Sequence, residues 1–176
     1  MKRTLIATTL LLTAFASSAM TLTSTDIQEG SRMADTYAFN GFGCSGDNVS
    51  PQLSWQDAPE GTKSFAITAY DPDAPTGSGW WHWVATDIPA SVNSLKQGAS
   101  GHDFTGKQQH NDYGSVGFGG VCPPKGDGMH RYQFTVWAMP SEKLDIPQGA
   151  SNALIGFMLR ANALDKATLT ATYVNE

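Results

Sequence analysis

Short apolar runs, punctuated by glycine and proline, make up most of the chain after residue 20. Apolar and polar positions alternate within many of these runs, and β-branched and aromatic residues are frequent, which is typical of strands. We predict six strands, at residues 21–24, 52–55, 64–71, 82–88, 131–138 and 168–174. No linker or low-complexity tract interrupts residues 20–176, so we expect a single domain there.

One helix is predicted late in the chain, with Ser151 as its N-cap. Its apolar positions recur at i, i+3, i+4 and i+7 and form one face: Leu154, Phe157, Met158 and Ala161. Gly156 weakens this helix by up to about 1 kcal/mol unless something packs closely against it. Strands followed by one helix and a last strand indicate a mainly β fold, an antiparallel β-sandwich with a small C-terminal α element.

The first nineteen residues have the composition of an export signal. Lys2 and Arg3 precede an apolar stretch at 5–15 and small residues at 16–19. The apolar stretch is too short to span a bilayer, so we predict a secretory signal peptide at 1–19, with cleavage after Ala19 or as late as Thr21. We therefore expect residues 20–176 to be periplasmic or secreted, without a transmembrane segment.

The charge of the chain excludes some partners. Removal of Lys2 and Arg3 lowers the formal charge from −5 to −7, and no cluster of lysine and arginine remains. An acidic domain without a basic patch is a poor ligand for nucleic acid and for anionic membrane surfaces. Any anion that this chain binds must be held by local groups.

The chain has two cysteines, Cys44 and Cys122. In an exported protein an even number of cysteines favours a disulfide, here a single one, and two buried free thiols are the alternative. Closing a loop of this length would stabilise the fold by about 4 kcal/mol.

Three polar stretches lie next to apolar strand-like runs: 71–75 (Asp-Pro-Asp-Ala-Pro), 80–83 (Trp-Trp-His-Trp) and 123–132 (Pro-Pro-Lys-Gly-Asp-Gly-Met-His-Arg-Tyr). Each also has a purely structural interpretation. The first can be a proline-stiffened turn capped by aspartates, and His82 and His130 can be buried histidines bonded to carbonyls. The segment 97–120 is predicted to be a long loop with a functional or interface role, and its His102 and His110 to be exposed.

The order of these stretches resembles the phosphatidylethanolamine-binding protein family, which includes the Raf-kinase-inhibitor-like proteins. Residues 71–75 resemble the first family signature, 123–132 resemble the second, and the Trp-x-His element at 80–82 lies between them. Residues 48–55 (Asn-Val-Ser-Pro-Gln-Leu-Ser-Trp) fit the exported bacterial, YbcL-type branch. The resemblance covers essentially all of residues 20–176.

The resemblance implies a β-sandwich with an anion pocket at one end. It implies pocket side chains at Asp71, His82, His130 and Tyr132, walls at Trp80 and Pro124, backbone donors at Gly120 and Cys122, and a partly structural turn carboxylate at Asp73. Cys122 departs from the glycine of the animal proteins, so a bridge to Cys44 would fix the pocket rim. The chain also ends just after its last strand, without the C-terminal helix of the animal proteins, so we expect a more open pocket mouth.

The residue types suit a small phosphate-type anion. His82 and His130 can donate hydrogen bonds, best when protonated, Tyr132 adds a hydroxyl, and Asp71 can orient an imidazole and favour its charged form. We therefore expect the protein to bind phosphate-bearing or other anionic ligands or head groups, more strongly at lower pH. Regulation or inhibition of a protein partner is a possible further role, and the bacterial relatives favour a homodimer.

Two other functions stay open. A hydrolase or lyase could use His82, His130 and Asp71 as acid and base, but the chain has no Gly-x-Ser-x-Gly motif to supply a nucleophile. A metal site at the two histidines and an aspartate would be the third function, but neither His-Glu-x-x-His nor Cys-x-x-Cys is present. We expect no metal and no cofactor.

Overall fold

The computed structural model of the chain describes residues 19–176, so the predicted signal peptide lies, apart from Ala19, outside the described residues. The fold is mainly β. Its elements in chain order are β1 (Thr21–Thr23), β2 (Asn40–Gly41), β3 (Cys44–Ser45), β4 (Leu53–Gln56), β5 (Ser64–Asp71), β6 (Trp80–Pro89), β7 (Ser94–Leu95), β8 (Lys107–Gln108), β9 (Met129–Met139), α1 (Asn152–Asn162) and β10 (Asp165–Val174).

Two antiparallel sheets form the sandwich. The large sheet has the order β10-β9-β5-β6-β8, and the small sheet has the order β1-β4-β7. A core of buried apolar side chains fills the space between them, with Leu53 and Trp55 from the small sheet and Ile67, Trp83 and Phe134 from the large one. The predicted β-sandwich is therefore confirmed.

The central strand β5 is buried on both faces. One face packs into the core between the sheets, and a second apolar cluster lies on the other face, beneath α1. This explains why β5 is buried along almost its whole length, whereas β10 alternates buried and less buried positions. The second cluster joins helix and sheet: Ala66, Val84, Trp137, Met139, Ile155 and Leu159.

All six predicted strands are present, with ends shifted by up to three residues. The strands β2, β3, β7 and β8 are absent from the prediction. Each is two residues long, which is too short to show a period of apolar positions.

The predicted helix is present, and the side chain of Ser151 accepts the N–H of Leu154 as its N-cap. Its predicted apolar face is wrong. Leu154 and Phe157 are exposed, whereas Ile155, Gly156 and Leu159 are buried. The helix turns its glycine toward the sheet, because a bulkier residue could not approach Trp81 as closely.

Candidate functional site

A cavity of about 230 Å³ opens at one end of the large sheet, where β5 ends and β6 and β9 begin. Six of the predicted site residues line it: Asp71, Trp80, His82, Cys122, Pro124 and His130. The rest of its wall is mostly apolar and consists of Phe42, Ala74, Pro75, Thr76, Tyr113 and Pro123. Residues from all three polar stretches therefore meet at one site.

Asp71 fixes both a turn and a histidine ring. Its Oδ1 accepts the N–H groups of Asp73 at 2.8 Å and Ala74 at 3.1 Å, which orders the turn after β5. Its Oδ2 lies 2.8 Å from Nδ1 of His130, and both side chains are buried. Nε2 of His130 lies 3.2 Å from a carboxylate oxygen of Asp127, so a protonated His130 donates to two carboxylates.

His82 is held differently, by backbone carbonyls. Its Nδ1 lies 2.9 Å from the oxygen of Gly119 and 3.0 Å from that of Gly120. Carbonyls only accept, so Nδ1 carries the hydrogen and Nε2 of the neutral ring has a free lone pair. Burial lowers the pKa of His82 below its usual 6.5, although the two carbonyls and Asp71 oppose the shift.

Nε2 of His82 is buried and has no hydrogen-bond partner among the described residues. The same is true of the indole N–H of Trp80, which also contributes to the cavity wall. One of these atoms accepts and the other donates. Buried polar atoms are normally satisfied, so both atoms are free to bond a polar group that enters the cavity.

Three predicted site residues do not line the cavity. The Gly120 N–H donates to Oδ1 of Asn48 at 2.6 Å and is therefore not available to a ligand. Asp73 forms a bidentate ion pair with Arg131, which lowers the pKa of Asp73. Tyr132 is buried with its ring 5.1 Å from that of His82, and its hydroxyl has no well-aligned partner.

Three residues at this site were not predicted from the sequence. Tyr113 comes from the long 97–120 loop, stacks on Phe39 at 3.9 Å and donates its hydroxyl to the oxygen of Gly120. Phe42 stands at the mouth, 75% exposed. Asp127 contacts His130 from within the second signature. The two glycines that flank Phe42 are a sequence signal for a turn. No sequence pattern indicates that Tyr113, rather than another residue of the 97–120 loop, enters the site.

The disulfide between Cys44 and Cys122 is confirmed, and no described cysteine is free. It joins β3, the second strand of the β2–β3 hairpin, to the wall of the cavity. Phe42, in the turn of this hairpin, has a positive φ of 54°. The bridge therefore holds the hairpin, and Phe42 with it, at the cavity mouth.

Within residues 19–176, no group of three or more His, Cys, Asp or Glu side chains is placed to hold a metal ion. Across the same residues, no helix combines the length and the apolar character needed to cross a membrane. His110 is exposed, with Nδ1 3.0 Å from the oxygen of Gly114, and His102 is also exposed.

These features define a β-sandwich protein with a cavity at the strand ends built on an Asp–His pair and a second, carbonyl-bound histidine. A sequence model described as phosphatidylethanolamine-binding protein matches residues 23–174. The chain therefore belongs to the phosphatidylethanolamine-binding protein family, as the sequence signatures predict.

Several relatives support this assignment. The chain is 48% identical to YbcL of Escherichia coli K12 over 180 residues, 98% of each chain. It is 46% identical to YbhB of the same strain over 159 residues, 88% of this chain and 99% of YbhB. The crystal structure of E. coli YbcL matches with a TM-score of 0.85 and 49% identity, covering 90% of this chain and all of that one.

A more distant relative is the putative lipoprotein LppC of Mycobacterium tuberculosis H37Rv. It is 35% identical over 135 residues, which are 75% of this chain and 63% of LppC.

Proposed function

We propose that this protein binds small phosphate-bearing ligands in the cavity at the strand ends. The observation that carries the proposal is the buried, unpartnered Nε2 of His82 in the cavity wall. The indole N–H of Trp80 and the Asp71–His130 pair belong to the same wall. A ligand that supplies both an acceptor and a donor would satisfy these atoms together.

The proton in this site decides which anion fits. The lone pair of a neutral His82 repels a fully ionised oxygen but accepts a hydrogen bond from a P–OH group. Phosphate monoesters lose their second proton with a pKa of about 6, so the monoanion carries such a group in mildly acidic solution. The lowered pKa of His82 favours the neutral ring, so the monoanion is the form that fits, and binding strengthens as the pH falls.

The mostly apolar walls favour a phosphate ester over inorganic phosphate. Trp80, Tyr113 and Phe42 surround the polar centre, and the prolines at 123 and 124 stiffen one rim. Rigid walls lose little conformational entropy when a ligand binds. The cavity would therefore hold the phosphate at His82 and an organic group at its mouth.

We also propose that the protein is exported and acts in the periplasm or outside the cell. The predicted signal peptide, the Cys44–Cys122 disulfide and the name of the LppC relative as a putative lipoprotein support this location. Regulation or inhibition of a protein partner, and a homodimer, stay predictions. Light scattering at micromolar concentration tests the dimer.

Calorimetric titration with phenyl phosphate tests the proposed binding. His82→Asn keeps an N–H that can reach the carbonyls of residues 119 and 120 but removes Nε2. We expect it to weaken binding at least about tenfold, or about 1.4 kcal/mol. His102→Asn, at an exposed histidine outside the cavity, is the matched control and should bind as the wild type does.

Equal affinity of the His82→Asn variant and the wild type would contradict this role of His82. A colorimetric assay for released phosphate runs beside the titration. Turnover of phenyl phosphate that is lost in His130→Gln would favour the hydrolase alternative over a binding protein.

A further inference from the structure

A second cavity, of about 480 Å³, lies on the opposite face of the large sheet, between α1 and the strands β9 and β10. We call it the helix-side groove. It shares no lining residue with the first cavity. Strand β6 connects the two sites, because successive side chains point to opposite faces: Trp80 and His82 line the first cavity and Trp81 lines the groove.

The helix-side groove is lined by positive charge, whereas the chain as a whole has a net negative charge. Arg160 of α1 and Lys166 of β10 line it, and no carboxylate does, although the formal net charge of the chain is −5. Neither cation forms an ion pair within residues 19–176. Nζ of Lys166 lies 5.0 Å from the centre of the Trp137 ring, which holds this charge over the groove.

Aromatic side chains supply the apolar part of the groove. Phe157 is 66% exposed on the helix, and Trp81 and Trp137 come from the sheet. A Cβ at Gly156 would overlap Cη2 of Trp81, so the glycine lets α1 rest directly on the indole. The Trp81 indole N–H is buried and has no partner among the described residues.

We infer that the helix-side groove binds small aromatic carboxylates. The planar body of such a ligand packs against Trp81 and Phe157, and its carboxylate lies against Arg160 and Lys166. The rest of the groove wall is polar and includes the hydroxyls of Thr135 and Thr168, which bond each other. Both cations lack an ion-pair partner among the described residues, and each can donate charge-assisted hydrogen bonds to a carboxylate.

A small ligand fits this groove better than an acidic peptide does. The volume of the groove falls within the range of about 300–1,000 Å³ that is usual for small-molecule sites. Acidic peptides are recognised by clusters of several cations, and the groove has two.

Heteronuclear NMR of the ¹⁵N-labelled protein tests the inference directly. The chain has five tryptophans, whose indole signals are assigned with single Trp→Phe variants. Titration with indole-3-acetate should shift the Trp81 and Trp137 indole signals and saturate. Indole-3-acetamide, which has the same ring and no charge, should bind at least tenfold more weakly.

The double variant Arg160→Gln/Lys166→Gln should lose this preference for the acetate, because both groups are exposed and their loss leaves the core intact. Lys143→Gln, at an exposed lysine outside the groove, is the matched control. Four results would overturn the inference. The first three are equal binding of acetate and acetamide, no change in the double variant, and shifts confined to Trp80. The fourth is shifts with an acidic peptide alone, which would favour a protein partner.

Discussion

At the scale of single residues, His82 and His130 have different roles that their sequence contexts do not distinguish. His130 lies between two carboxylates, and His82 lies against two backbone carbonyls and is buried. From the sequence, both are predicted to be equivalent donors. Which atoms surround a histidine depends on residues far away in the chain, such as Asp71 for His130 and Gly119 for His82, and local sequence does not contain that information.

The lowered pKa of His82 makes the stability of the fold depend on pH. The unfolded chain takes up a proton on this ring near pH 6.5, whereas the folded protein does so only at lower pH. The contribution of His82 is therefore fully present above pH 6.5 and is lost as the pH falls from there toward the folded pKa. Urea denaturation between pH 8 and pH 5 should show this loss in the wild type.

The His82→Asn variant lacks this titration, so its free energy of unfolding should fall less steeply below pH 6.5. His102→Asn should follow the wild type. If the His82→Asn and wild-type profiles are parallel over this range, the ring is not held neutral by burial.

At the scale of elements, the long strands and the helix cap were predictable, and the orientation of the helix was not. Strands such as β5 and β9 carry long apolar runs, and Ser151 is a strong N-cap signal. The apolar residues of α1 form two neighbouring faces of the helix. The period of apolar positions fits the face with Phe157, whereas the face with Ile155 and Leu159 is the buried one. The approach of Gly156 to Trp81 decides the orientation, and this is a tertiary contact.

Gly156→Ala tests that contact. An alanine would raise helix propensity by about 1 kcal/mol, but its Cβ would overlap Cη2 of Trp81 and lie 2.9 Å from Cζ2. We expect a net loss of about 1–3 kcal/mol in the free energy of unfolding, measured by urea denaturation. Gly77→Ala is the control, because a Cβ there meets nothing within 4 Å and should leave stability unchanged.

A Gly156→Ala variant that is more stable than the wild type would show that helix propensity outweighs packing on Trp81. In that case the close contact between Gly156 and Trp81 would not be what sets the orientation of α1.

At the scale of the whole molecule, the sheet presents a different site on each face. The family resemblance in the sequence predicted a pocket at one end of the sandwich and six of the residues that line the cavity there. The resemblance did not predict the residues that come to the cavity from distant parts of the sequence. Tyr113 enters from the long loop. Asn48, 72 positions before Gly120, accepts the Gly120 N–H. The helix-side groove was not predicted, because α1, β9 and β10 create it only when they pack together.

The sharpest test of phosphate binding at His82 is a calorimetric comparison of two cavity ligands between pH 5 and pH 8. Phenyl phosphate can supply a P–OH group, whereas phenyl sulfate is a permanent monoanion without a proton. With His82 neutral and Nε2 as an acceptor, phenyl phosphate should bind at least about tenfold more tightly than the sulfate at pH 6, and its affinity should rise as the pH falls. Equal affinities for the two ligands at pH 6, or phosphate binding that is constant from pH 5 to pH 8, would contradict the proposed role of His82.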